Sequence, residues 1–483
     1  MSHNGGSFSS DASSATSGHE RERPKDGEAL HRAGLLQEAA EAYRHELVQT
    51  PDDARTLSNY GGLLCTLGDF QEAHDVLIRA LNLKLTLVDA WSNFGNALLA
   101  LQRYDDAIAA YKECLTRYPQ HVLALSNLGV ALDRRGEHAL ARNFHRVAVR
   151  LDPENAESHA NYAICLLALG EYQEGFEEYE WRWKTRMLGH HRMTAPLWEG
   201  GDFTGRTLLI HTEGGFGDML QFSRFIPFAA QFGGRTLVRV RKELLSLFRL
   251  SFPDQTFISI DDPVPPHDLQ CPAASLPRAL GTTLETIPSP GGFLKADPQK
   301  VAFWAEKLED DLEKRGLSSA PLRVGLVWAG APHRGVREVN IADQRRSTDL
   351  ATLASLASVP DTLFYSLQIG EKSVQAKTPP AGMQLIDHTP LLHDFSDTAA
   401  FVSNLDLVIA VDTSTAHVAA GLGKPVWMLS RYDQCWRWLS GRSDSPWYDS
   451  LRIYQQSQPL DWSAPMHRIT ADLAKFARAW GRT

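Results

Sequence analysis

An α-helical repeat array followed by two doubly wound α/β lobes is the architecture this sequence predicts, and three observations carry that expectation. Marker residues recur every 34 positions through the first part of the chain. Beyond residue 206, short apolar runs alternate with helical patterns. A chain of 483 residues also exceeds one core, since domains run to about 100–200 residues each. With 43% hydrophobic and 22% charged residues the composition is globular, which excludes wholesale disorder and a disulfide mini-scaffold. A net charge of −9 without a long basic block argues against nucleic-acid binding by phosphate neutralisation. No apolar run is long enough for a membrane helix, and Met1–Pro24 lacks the apolar core of a secretory signal, so a cytoplasmic protein is expected. Five cysteines form no CxxC pair and read as buried reduced thiols.

The repeat array comes first along the chain. Asn59, Asn93, Asn127 and Asn161 are spaced by 34 residues, as are Gly34, Gly68, Gly136 and Gly170, with Gln102 in the vacant glycine slot. Pro51, Pro119 and Pro153 keep the same phase, with Leu85 in their gap. Helical patterns fill the intervals, so each unit reads as helix, glycine turn, helix, proline turn. This spacing resembles the tetratricopeptide repeat, and about four and a half copies are expected over residues 26–185. Stacking such helix pairs creates a concave groove. The in-phase asparagines have two readings: local hydrogen bonds between neighbouring repeats, or a ladder of amides offered to the backbone of an extended peptide. Their Ser/Ala-Asn-aromatic/Leu context resembles the asparagine ladder of O-GlcNAc transferases, and that resemblance implies an acceptor-binding role for Asn59, Asn93, Asn127 and Asn161.

After Trp181-Arg182-Trp183 the pattern changes. A glycine-rich stretch to residue 205 reads as a linker, and Thr207–Thr212 reads as a strand. The turn Glu213-Gly-Gly-Phe-Gly-Asp218 then leads into an amphipathic segment, Met219–Phe232. Strands are expected near Thr236–Val240 and Thr256–Ile260, and irregular loops over Pro263–Pro290. A second lobe starts at Leu322–Trp328 and continues with strands at Thr362–Leu367, Asp406–Asp412 and Pro425–Leu429. Helices are expected at Asp349–Ala357, Asp394–Ser403 and Ser414–Leu422, with a terminal helix over Ser463–Trp480 placed to brace both lobes. The expected divisions are a disordered tail over 1–25, repeats over 26–185, a linker over 186–205, a first lobe over 206–315 and a second lobe over 316–483. Tandem doubly wound lobes leave a cleft at the carboxyl ends of their strands.

Three groups of residues suit chemistry in that cleft. Asp218 follows the glycine turn at a helix start, where it reads as a helix-capping residue or as a general base. Asp412-Thr413-Ser414-Thr415-Ala416-His417 joins a strand to a helix; its hydroxyls are caps or, with the backbone amides, an anion site. Arg345-Arg346-Ser347 reads as a polar loop whose arginine is solvated or neutralises phosphate. No P-loop, complete GxGxxG or GxSxG occurs. His190-His191 and Asp387-His388 with His393-Asp394 lack tight ligand spacing and read as surface loops, so no metal site is expected. Trp436, Trp438 and Trp447 either stack on a ligand or belong to the core.

Glu213–Arg224, Trp328-Ala-Gly330, Arg346-Ser347, Asp412–His417, Trp436-Arg-Trp438 and Asp444–Tyr448 together resemble the heptosyltransferase-like glycosyltransferases of GT-B fold, in particular those fused to tetratricopeptide repeats. The resemblance implies inverting, metal-independent sugar transfer from a nucleotide-sugar co-substrate, with no cofactor. It places Asp218 as base and puts Arg346, Ser347, Asp412, Thr413, Ser414, Thr415 and His417 in the donor segment. Glu213 and Gln221 fall on the acceptor side. Gly214 stands where relatives often have glutamine, and Arg346 where heptosyltransferases have lysine. The implied partners are the nucleotide-sugar and a protein or peptide acceptor in the repeat groove; self-association into a homo-oligomer is compatible with the sequence. Two alternatives stay open: a carbohydrate or lipid-linked acceptor, and a repeat scaffold whose transferase module is silent.

Overall fold

The 34-residue period is a packing rule. A computed structural model describes residues 26–185, 193–288, 291–316, 321–332 and 337–480. The tail over 1–25, the His190-His191 pair and the start of the linker lie outside the described residues. Helices α1 (Gly27–Arg32), α2 (Leu36–Gln49), α3 (Ala54–Leu67), α4 (Phe70–Leu83), α5 (Val88–Ala100) and α6 (Tyr104–Arg117) belong to one compact unit, which ends at Arg117. Helices α7 (Val122–Arg134), α8 (His138–Leu151), α9 (Ala156–Leu169) and α10 (Tyr172–Tyr179) belong to a second unit, which starts at Tyr118 and includes the whole α/β region. The expected four and a half repeats are thus five helix pairs among the described residues, the first opened by a helix of only 6 residues.

In three successive pairs the first helix carries a glycine where the second presents a large side chain. Gly61 faces Leu77, Gly95 faces Tyr111 and Gly129 faces His145, and a Cβ on these glycines would come within 2.4, 2.5 and 2.5 Å of those side chains. Turns repeat as well: Gly68 and Gly170 end their helices with φ of 92° and 81°. Gln102, in the vacant slot, adopts the same left-handed conformation at φ 61° without glycine's freedom. Of the two readings of the asparagines, the local one is visible in both units. Asn93 Nδ2 donates to the Ser58 carbonyl at 3.5 Å, and Asn161 Nδ2 donates to the Ser126 hydroxyl at 3.1 Å. Cys114, Cys165 and Cys271 are buried, whereas Cys65 and Cys435 are only half-buried. Cys165 lies beside Asp133 and His145, but the Asp133 carboxylate is already shared by His138 and His145 at 2.7 and 2.9 Å.

The α/β region holds two all-parallel sheets. In the first, β1 (Thr207–His211), β2 (Arg235–Val240), β3 (Thr256–Ser259) and β4 (Leu269–Pro272) take the order β3-β2-β1-β4. In the second, β5 (Leu322–Val327), β6 (Thr362–Ser366), β7 (Leu385–Asp387), β8 (Leu407–Val411), β9 (Val426–Ser430) and β10 (Leu451–Gln455) take the order β10-β9-β8-β5-β6-β7. The chain runs outward from β5 on one side and from β8 on the other. The topological switch therefore falls between these two strands, and their carboxyl ends lead into Gly330 and Asp412.

Several elements depart from expectation. Strand β4 lies inside the stretch expected to be loops; it is an edge strand of 4 buried residues, where a terminal proline is tolerated. Met219–Phe232 is not one helix: an α-helix over Phe216–Phe222 passes into short turns around Pro227. The helix expected at Asp349–Ala357 is a 3₁₀ segment, Leu350–Ser358. Arg345 and Arg346 end a helix, Arg337–Arg346, rather than sitting in a loop. His388 is half-buried, with its Nε2 2.7 Å from Asp311 and its ring near Trp304 and Phe401, so it is no surface-loop residue. The terminal helix Ser463–Trp480 does not brace both lobes; it lays Ile469 and Leu473 on the second sheet and meets Ser355 through Thr470 at 2.8 Å. The described end of the linker is pinned to the first sheet, with Leu197 bridged to Gln270 and Trp198 buried.

Candidate functional site

Strand ends and helix starts converge on a cavity of about 380 Å³ between the two sheets. Asp218 approaches from the first sheet; Arg346, Asp412, Thr413, Ser414 and His417 approach from the second. A cavity of this size suits a small ligand.

Asp218 sits in the first turn of helix Phe216–Phe222, and its Oδ2 accepts the Gly215 N–H at 2.8 Å. Gly214 makes this turn possible, because it has φ +71° and a Cβ there would lie 2.4 Å from Asp218 Oδ2. The other carboxylate oxygen, Oδ1, is ion-paired with Arg437.

The second sheet supplies the polar wall. Arg346 is held by Asp343 at 2.8 and 3.0 Å and by the Asp412 carbonyl at 2.9 Å. Gly330 lies so close that a Cβ would come within 2.0 Å of Asp343 Oδ1 and 2.7 Å of Arg346 Nη2. Helix Ser414–Gly421 begins at the cavity with Thr413 as N-cap. Ala416 and His417 N–H both bond the Thr413 carbonyl, so the Ser414 and Thr415 amides are the ones a helix leaves without an internal acceptor. The buried Thr413 hydroxyl has no hydrogen-bond partner among the described residues.

His417 is neutral at pH 7. Burial, aided by Arg437 and Arg224, lowers its pKa to about 4, against the pull of Asp412 and Asp218. Its Nδ1 is 2.8 Å from the Tyr448 hydroxyl, whose own pKa burial raises to about 12. The Arg224 guanidinium lies over the Tyr448 ring, 4.5 Å from its centre. Burial alone would raise the Asp412 pKa; His417, Arg346 and the Trp438 indole donor at 3.0 Å outweigh it and hold the carboxyl below its usual range.

Other expected site residues lie elsewhere. Ser347 accepts the Gly330 N–H at 2.9 Å and so fixes the loop, and Thr415 lines a neighbouring cavity of about 340 Å³. Glu213 does not face the cavity opening as an acceptor contact: it is buried against Arg182, which donates to its Oε2 at 2.8 Å. Gln221 is fully buried and also stands off the cavity. Trp436, Trp438 and Trp447 are buried in the core, with Trp436 against Phe176 and Trp447 against Tyr172. Three cavity arginines escaped the sequence reading: Arg241, Arg431 and Arg437. Arg437 had a signal, since it stands between the two tryptophans of a motif read only for its aromatics.

A second charged cluster adjoins the site. The buried Asp433 carboxylate receives Arg134 of α7 at 2.6 Å, Arg345 at 3.0 Å and Arg431 at 3.5 Å. These arginines hold its pKa down against burial. Helix α7 is thereby tied to the strand end and helix end that carry Arg431 and Arg346.

The tetratricopeptide-repeat family model matches residues 92–153. Protein FlbA of Caulobacter vibrioides is 27% identical over 479 residues, covering 93% of this chain and 78% of FlbA. Human protein O-mannosyl-transferase TMTC3 is 23% identical over 145 residues, 30% of this chain and 16% of that protein. A solved structure, TTC0263, a thermophilic TPR protein in Thermus thermophilus, covers 33% of this chain and 88% of its own with 18% identity and a TM-score of 0.31. No helix among the described residues is long and apolar enough to cross a membrane. The chain carries tetratricopeptide repeats ahead of a parallel-sheet α/β region, and its similarity to FlbA spans both.

Proposed function

We propose that this protein is an inverting, metal-independent glycosyltransferase of the GT-B, heptosyltransferase-like type, moving a sugar from a nucleotide-sugar to a protein or peptide acceptor brought by the repeats. The observation that carries the reading is one cavity faced by the Asp218 carboxylate on one side and by Arg346 with the start of helix Ser414–Gly421 on the other. Tetratricopeptide repeats are protein-interaction surfaces, which favours a polypeptide acceptor. The amide nitrogens of Asn93 and Asn161 each spend one of their two N–H donors on the neighbouring repeat, so in this reading the ladder contacts the acceptor through the other N–H and the amide oxygen.

In the transfer, Asp218 takes the proton of the acceptor hydroxyl while that oxygen bonds to the anomeric carbon. The bond from that carbon to the diphosphate oxygen breaks, and its electron pair leaves with the nucleoside diphosphate. Arg346, the Ser414 amide and the Thr413 hydroxyl stabilise the developing charge. Arg346 is fixed beforehand by Asp343 and the Asp412 carbonyl, and the Ser414 amide by its place at the helix start, so little reorganisation is needed as the charge appears.

The test is transfer from radiolabelled nucleotide-sugars. Label on a polypeptide supports the reading; label on a glycan alone moves the acceptor class; no transfer with any donor leaves a scaffold. Asp218→Asn should retain nucleotide binding yet transfer more slowly by about 10²–10⁴-fold, the scale of a lost base. Normal turnover by that variant would show that the base is another group.

A further inference from the structure

Resting on that reading, we infer that Arg437 is a cation shared between Asp218 and the donor diphosphate, so that donor binding releases the base. Both oxygens of Asp218 are engaged in the structure: Oδ2 by the Gly215 N–H at 2.8 Å and Oδ1 by Arg437. An acceptor hydroxyl needs one of them. The Gly215 contact is local and moves with the turn. The Arg437 contact joins opposite walls of the cavity, from positions 219 residues apart.

Arg437 suits a change of partner better than Arg346 and Arg431 do. Arg346 is tied to Asp343 and to the Asp412 carbonyl, and Arg431 leans on Asp433. Arg437 lines the same cavity, its guanidinium lies 4.6 Å from the Trp436 ring, and its carboxylate partner is Asp218. A diphosphate brings more charge and more acceptor oxygens than one carboxylate, so it outcompetes Asp218 for this guanidinium. When Arg437 turns to phosphate, Oδ1 is left for the acceptor hydroxyl. Donor therefore binds before acceptor, and an empty donor site keeps the base engaged. Arg437 has two roles: a phosphate contact and a positioning residue for Asp218.

The competition has a signature that a purely structural salt bridge lacks: removing the carboxylate tightens phosphate binding. Inorganic pyrophosphate, UDP, GDP, CDP and ADP would each be titrated calorimetrically into the full chain and into Asp218→Asn, Arg437→Gln, Arg437→Lys and the double variant Asp218→Asn/Arg437→Gln, with melting curves confirming the fold. For the probe that binds the wild type, Arg437→Gln should weaken binding about 10–100-fold, the worth of charge-assisted hydrogen bonds, and Arg437→Lys should recover part of it. Asp218→Asn should tighten binding about 3–10-fold, and this gain should vanish in the Arg437→Gln background. A wild type that binds none of the probes overturns both the transferase reading and this inference. A wild type that binds, with no gain in Asp218→Asn or the same gain without Arg437, overturns the inference alone.

Discussion

The repeats and the cleft use one device for opposite ends. In both, a glycine admits a side chain that any Cβ would push away. In the repeats Gly61, Gly95 and Gly129 admit Leu77, Tyr111 and His145. In the cleft Gly214, Gly217 and Gly330 admit Asp218, His417 and the Asp343–Arg346 pair. Loss of a repeat glycine strains a packed helix pair and costs stability. Loss of a cleft glycine moves a charge or a polar donor, so the cost falls on ligand binding first. Close approach marks a position as indispensable, and the nature of the neighbour says what it is indispensable for.

The comparison breaks most readily at Gly330. On the proposed function, Gly330→Ala should lower affinity for the nucleoside diphosphate by about 100-fold, because Arg346 and Asp343 must leave their present geometry; calorimetric titration reads it. If melting falls steeply while affinity holds, the cleft glycine is only a packing glycine. Gly95→Ala should do the reverse: about 1–2 kcal/mol of stability lost in the first unit, after the better helix propensity of alanine offsets part of the strain against Tyr111. Far-UV circular dichroism is the readout, since of 12 tryptophans only Trp91 precedes residue 118 and fluorescence reports on the second unit. The smallest effect has the opposite sign. Gln102→Gly should stabilise the first unit by about 1 kcal/mol, by relieving the left-handed strain at φ 61°. A neutral or destabilising result would mean that the Gln102 side chain makes up for its backbone.

Legibility follows the same divide. The period could be read because every repeat repeats one short-range geometry, and strands β1, β5, β8 and β9 could be read because burial on both faces makes them continuous apolar runs. Strand β4 was hidden by its length and its terminal proline, and helix Arg337–Arg346 by its charge, since too few apolar residues mark a buried face. At the site, residues next to strand ends stood out, because the fold's topology sends them to the cleft. What escaped was pairing across distance. Glu213 looked available beside its motif, yet Arg182, 31 residues earlier, occupies it. Arg437 looked like a spacer between tryptophans, yet it answers Asp218 from the opposite wall. Spacing along a chain carries no information about which opposite charge will arrive from the other lobe.

The Asp433 cluster bears on how this protein can be rebuilt. Arg134 of α7 supplies one of the countercharges to a carboxylate that also receives Arg345 and Arg431. A chimera that swapped in foreign repeats up to residue 185 would delete that countercharge and unsettle the strand end beside the cleft. The natural seam for exchanging recognition cassettes is the turn at Tyr118, with α7–α10 kept as part of the chassis.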